Sequence, residues 1–251
     1  MLGLLWENGP IRVTETATGD KITYKRWEKS WAESFAMLYI DNPVGTGYSY
    51  LDSGHRGWKT TNHGYTEDLF SFISQRKWMI PDYLNTQLHI GGQSYAGKYV
   101  LSTNRSAIPL AGIYLGGPFF DPYSHSTNGS RRYNREPFKE YGSDFLVRTK
   151  LQLAEIMDNC QVLIYSEDVD GIVTAVNIEE VILSTPFLLQ GLYNASDRQT
   201  WQNGSIIVGY YIHVGGFCRV IVRNAGHQAP HDQPDITKTI MLDFVRHGCI
   251  Q

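Results

Sequence analysis

Cysteine is scarce: three residues, Cys160, Cys218 and Cys249, in a chain of 251. They lack the close pairing of a metal site, and three cannot all pair with one another. No cofactor and no metal is expected. Basic blocks are also missing. Lysine and arginine number 22 against 25 aspartates and glutamates, for a net charge of −3, which argues against nucleic acid as a partner. No apolar run reaches the ~18 residues that a membrane-crossing helix needs. The opening Met-Leu-Gly-Leu-Leu-Trp-Glu has no basic lead, and Glu7 interrupts its apolar stretch. It does not make a convincing signal peptide.

Against that stand four N-x-[ST] sequons, at Asn104, Asn128, Asn194 and Asn203. They lean towards a secretory origin and possible glycosylation. Sequons without a signal peptide conflict. Either the true N-terminus lies upstream or the sequons are idle.

What is present is a core-forming composition, 42% apolar, in a length that suits one large α/β domain or two small ones. Short apolar runs at residues 36–40, 88–90, 108–115, 161–165, 206–212 and 217–222 read as strands. Helical spacing marks residues 61–77, 151–157, 172–183 and 236–244. The stretch 1–13 reads as a buried segment that turns at Glu7-Asn8-Gly9-Pro10. Residues 123–141 are polar and read as surface loop. Strands alternate with helices, which predicts a largely parallel sheet covered on both faces.

The chain is organised around Gly91-Gly92-Gln93-Ser94-Tyr95-Ala96-Gly97. An apolar run leads in and helix-compatible residues follow. That is the pattern of a nucleophile elbow, with a serine at the apex of a strand-to-helix turn. Such a turn is strained, so Gly92, Ala96 and Gly97 are small for steric reasons. The following helix aims N–H groups at the place where an oxyanion develops. The bland alternative is a glycine-rich turn that happens to hold a serine.

Two further residues follow strands: Asp170, in the turn Ser166-Glu167-Asp168-Val169-Asp170-Gly171, and His227, in Asn224-Ala225-Gly226-His227. Alone, Asp170 suits a solvated loop, and His227 is one of eight histidines. Together with Ser94 they stand in the order Ser–Asp–His used by α/β-hydrolases. Ser94 would be the nucleophile, His227 its general base and Asp170 the group that fixes the imidazole tautomer.

The motifs together resemble the serine carboxypeptidase family, most closely its vitellogenic-like branch. They are Glu7-Asn8-Gly9-Pro10, Asp41-Asn42-Pro43-Val44-Gly45-Thr46-Gly47-Tyr48-Ser49, the serine turn, Val162-Leu163-Ile164-Tyr165 through Asp170, and Gly226-His227-Gln228-Ala229-Pro230 through Pro234. The resemblance runs end to end. It implies an α/β-hydrolase fold, mostly parallel with helices on both faces. The implied activity removes C-terminal residues from peptides or proteins, in a secreted or lysosomal setting. It also implies that the Tyr95 N–H supplies half of the oxyanion hole, and that Gln93 and Glu7 belong to the network binding the substrate's terminal carboxylate.

Three departures from the family follow. Its Asn-Gly-Gly-Pro-Gly segment, source of a second oxyanion N–H, precedes the stretch matched here, and losing one such donor costs about 10²–10³ in rate. Only 76 positions separate Ser94 from Asp170, so most of the helical cap is expected to be missing between about 120 and 150. The family's Glu before the serine is Gln93, whose amide donates at any pH. The expectation is one hydrolase domain over 1–251, incomplete at its N-terminus. Its activity would depend less on acid than the family's does. An impaired member with a binding role or none is the second expectation, and an esterase or acyltransferase on the same triad is a minor one.

Overall fold

Six strands form the main sheet of the computed structural model: β3 (Leu88–Gln93), β4 (Leu110–Gly116), β5 (Gln161–Glu167), β6 (Gln199–Asn203), β7 (Ile206–Val214) and β8 (Phe217–Val222). Their spatial order is β3-β4-β5-β8-β7-β6. The first four in that order run parallel, and β7 and β6 close one edge antiparallel. The sheet is therefore mixed at that edge. The reason is local: β6 and β7 are joined by Gly204-Ser205, with Gly204 at φ 63°, and so short a turn can only return the chain antiparallel. A separate hairpin pairs β1 (Ile11–Glu15) with β2 (Ile22–Arg26). The structure describes residues 1–15, 21–51, 57, 59–75, 80–83, 85–101, 110–122 and 147–251. Asn104, Asn128 and the expected gap in the cap fall wholly or largely outside these.

The helices are α1 (Asn62–Ser74), α2 (Ala96–Leu101), α3 (Lys150–Asn159), α4 (Ala175–Leu183), α5 (Gln190–Ala195), α6 (Ala229–Asp232) and α7 (Pro234–His247). Their ends follow from side-chain chemistry. Thr61 accepts the Gly64 N–H and starts α1, so Glu67 and Asp68 fall in its second turn. Helix α7 has Pro234 at its start, Asp235 in the first turn, Arg246 and His247 in the last, and Gly248 at φ 81° to end it. Helix α4 begins later than its periodicity suggests. Asp170 Oδ1 takes the N–H groups of Ile172 and Val173, and Thr174 then caps the helix.

Alternation along the strands sorts the core into two layers. Val162 and Ile164 of β5 face one cluster with Leu153 and Ile156 of α3 and Ile178 and Val181 of α4. Leu163 and Tyr165 face the other, with Trp31, Val220, Met241 and Phe244. A disulfide joins Cys218 to Cys249, tying the end of α7 to β8. Cys160 donates to the Ile156 carbonyl.

Three expectations are corrected. Residues 36–40 pair with no strand among the described residues, and Leu38 stays 55% exposed. The opening segment is a π-helical turn, Gly3–Glu7, that exposes Leu2 and Trp6 while burying Glu7. Strand β5 runs on through Ser166 and Glu167, which carries both into the interior.

Candidate active site

Strand β3 ends at Gln93, Ser94 follows at φ 58°, and α2 begins two residues later. A side chain in the left-handed region costs roughly 1–3 kcal/mol and persists only where its surroundings enforce it. Here three backbone bonds do so. The Ser94 N–H donates to Gly116 O at 2.9 Å, and Ser94 O accepts from Gly97 N and Phe119 N, both at 3.0 Å. The flanking small residues are required by contact. A Cβ on Gly92 would lie 2.6 Å from that of Ala96, and one on Gly97 would lie 2.9 Å from Pro118 Cβ.

Asp170 follows β5 and is tied by both oxygens. Oδ1 accepts from Ile172 N at 2.7 Å and Val173 N at 3.0 Å, and Oδ2 lies 2.6 Å from His227 Nδ1. A carboxylate can only accept, so Nδ1 carries the proton and Nε2 is the ring nitrogen left to act as a base. The Asp170 side chain is wholly buried and that of His227 is 17% exposed. The histidine loop is braced by Gly226 N to Asp232 Oδ2 at 2.8 Å and by Gln233 Nε2 to Asn224 O at 3.0 Å. Among the described residues no hydrogen bond joins Ser94 Oγ to His227.

Gln93 links the two halves. Its Nε2 donates to His227 O at 2.5 Å and to Glu167 Oε1 at 3.2 Å, and its Oε1 accepts from the Tyr165 hydroxyl at 3.1 Å. Beside it a cavity of about 540 Å³ is lined by Glu7, Gln93, Tyr114 and Tyr165 among others. Burial raises the carboxyl of Glu7 above its ordinary value, opposed by the charges of His227, the N-terminus and Arg12. Burial likewise pushes the Glu167 carboxyl up to about 8, with the charge of Asp170 adding to it.

The structure thus brings Gln93, Ser94, Tyr95, Asp170 and His227 to one end of the parallel strands and sets Glu7 on the adjoining cavity. Asn194 and Asn203 are exposed at the surface. Sequence reasoning missed Glu167 and Tyr165. Glu167 stood in what looked like a solvated acidic turn. The only signal available was the period-two pattern, which puts residue 167 on the same face as Leu163 and Tyr165.

A mostly parallel sheet with a serine at a strand-to-helix turn, and an Asp–His pair at the same end of the strands, belongs to the α/β-hydrolase class. A solved prohormone-processing carboxypeptidase of Saccharomyces cerevisiae, Kex1, shares the fold with a TM-score of 0.77 at 14% identity, covering 98% of this chain and 80% of that one. The serine carboxypeptidase family model matches residues 1–133 and 128–247, and the chain belongs to that family of hydrolases. The human probable serine carboxypeptidase CPVL is 26% identical over 345 aligned positions, covering 93% of this chain and 71% of the relative. The vitellogenic carboxypeptidase of Aedes aegypti is 33% identical over 141 positions, covering 53% of this chain and 29% of that one.

Proposed function

We propose that this chain cleaves the C-terminal residue from peptides through a Ser94–His227–Asp170 triad. Ser94 Oγ attacks the scissile carbonyl while His227 Nε2 takes its proton. The proton then passes to the departing amine, and water hydrolyses the acyl-enzyme. The Tyr95 N–H, next to the nucleophile, donates to the oxyanion. The observation that carries this reading is the 2.6 Å Asp170–His227 contact, which leaves Nε2 as the base at the end of the sheet where Ser94 turns.

Gln93 and Glu7 are the proposed partners of the substrate's terminal carboxylate. Gln93 Nε2 makes one short bond and one longer one, and the longer, to Glu167, is the one a carboxylate could replace. The raised carboxyl of Glu7 favours the protonated form that can donate. A secreted or lysosomal setting fits the Cys218–Cys249 disulfide, since such bonds persist in oxidising compartments. Protein isolated from its natural source with Cys249 as a thiol would overturn that setting.

The triad is tested by labelling with a fluorophosphonate probe. Wild type should label, and Ser94→Ala and His227→Ala should not. Peptides with free C-termini should be trimmed, and their C-terminal amides should be spared. Labelling that survives in Ser94→Ala overturns the assignment. One observation favours the impaired alternative, the unmade hydrogen bond between Ser94 Oγ and His227. Folded wild type that fails to label would establish it.

A further inference from the structure

Glu167 is a fully buried carboxyl for which the triad chemistry has no use. It ends β5 on the face of Leu163 and Tyr165. Ser166 points to the other face, where the Arg219 guanidinium bonds Ser166 Oγ at 2.7 Å and Glu179 at 3.3 Å. That cation therefore serves the opposite side of the sheet. On its own side Glu167 Oε1 accepts from Gln93 Nε2, while Oε2 is enclosed without a hydrogen bond. Gly117, at φ 44°, marks where the groups converge. A Cβ there would lie 2.9 Å from Glu167 Oε2, 3.2 Å from Gln93 Nε2 and 3.4 Å from Asp170 Oδ2.

Among the described residues, the titratable groups facing Glu167 are all acids, apart from His227 beyond Asp170. Asp170 comes from the loop after β5, and the Tyr165 hydroxyl lies on the same strand with Glu7 and Tyr114 beyond it. The N–H groups of Ala229 and of Glu167 itself approach the carboxyl and favour its charged form in smaller measure. A buried carboxylate with no cation, beside a second carboxylate, is costly to charge.

We propose that Glu167 is a positioning residue for the Ser94–His227 reaction, an uncharged acid beneath the site whose loss of a proton disables it. The role rests on the triad reading. Gln93 sits next to the nucleophile and grips the backbone of the base through its 2.5 Å bond to His227 O. A neutral Glu167 competes weakly for the same amide. An ionised Glu167 accepts roughly twice as strongly and has an unpaired oxygen to satisfy, so it draws Nε2 away from His227 O. It also sets a second negative charge against Asp170. Both effects move His227 relative to Ser94. The sign follows directly: the acid is neutral below about 8, so the site is intact on that side and fails as pH rises through it.

The test is the second-order rate of fluorophosphonate labelling from about pH 6 to about pH 9.5, for wild type, Glu167→Gln and Glu167→Asp, each checked for folding by circular dichroism. Wild type should slow about tenfold from pH 8 to pH 9.5. Glu167→Gln, with nothing to ionise, should lose that fall, and Glu167→Asp should keep a fall at a shifted pH. Matching alkaline profiles in wild type and Glu167→Gln overturn the proposal, as does a flat wild-type profile. If Glu167→Gln fails to fold, an unmoved profile in Glu167→Asp overturns it. Folded wild type that labels at no pH overturns the triad reading itself, a result distinct from labelling without the alkaline fall.

Discussion

Strands β5 and β8 lie in the middle of the sheet, and every residue from Val162 to Glu167 and from Phe217 to Val222 is buried. Residues 36–40 carry a comparable apolar run, yet among the described residues they pair with no strand and leave Leu38 more than half exposed. The difference is one of partners. A central strand has its backbone groups satisfied on both sides and its side chains packed on both faces. An apolar run without a neighbour gains only partial burial. The site straddles this difference. Asp170 and His227 follow the two central strands, whereas Ser94 follows β3, which has β4 on one side and, among the described residues, no strand on the other. The base and its acid partner are accordingly joined at 2.6 Å. The contact left unmade is the one between the central strands and the edge.

The largest expected effect would break the firm side of that comparison. Asp170→Asn keeps an oxygen for the Ile172 and Val173 N–H groups, so the turn and the fold should survive. Its amide nitrogen would then face His227 Nδ1 and turn the imidazole to the wrong tautomer, with Nε2 protonated and unable to accept from Ser94. Labelling should slow by about 10⁴-fold, with a melting temperature close to that of wild type. A loss below about tenfold would show that the Asp170–His227 contact is structural.

Much of this was legible because steric and topological demands leave marks in the sequence. The elbow needs small residues where Gly92, Ala96 and Gly97 stand, and the order Ser94, Asp170, His227 follows from where parallel strands end. Strand β8 was readable to the residue, since a buried central strand is apolar at nearly every position, Arg219 alone interrupting this one. Other features carried no such mark. Whether residues 36–40 find a partner is a tertiary fact, invisible in their apolarity. Glu167 looked solvated because an acidic residue near Asp168 and Asp170 suits a loop, and its burial depends on β5 continuing two residues beyond its apolar run. The expectation that Gln93 leaves the site less dependent on acid took no account of the carboxyl to which its amide is bonded. The titrating group stands at 167, one hydrogen bond away.

The same comparison can be sharpened in stability. Phe244 of α7 is fully buried and packs edge-on against His89, with ring centroids 5.8 Å apart. Its ring tip also sits close to Gly112 of β4, where a Cβ would lie 3.1 Å from it. Phe244→Ala would empty a space closed by backbone that cannot collapse into it, at a cost of about 3–5 kcal/mol. Leu38→Ala removes a side chain that already meets solvent, so its effect should stay within about 0.5 kcal/mol. Urea midpoints at constant slope measure both. If the two costs matched, residues 36–40 would be packed as firmly as the centre of the sheet.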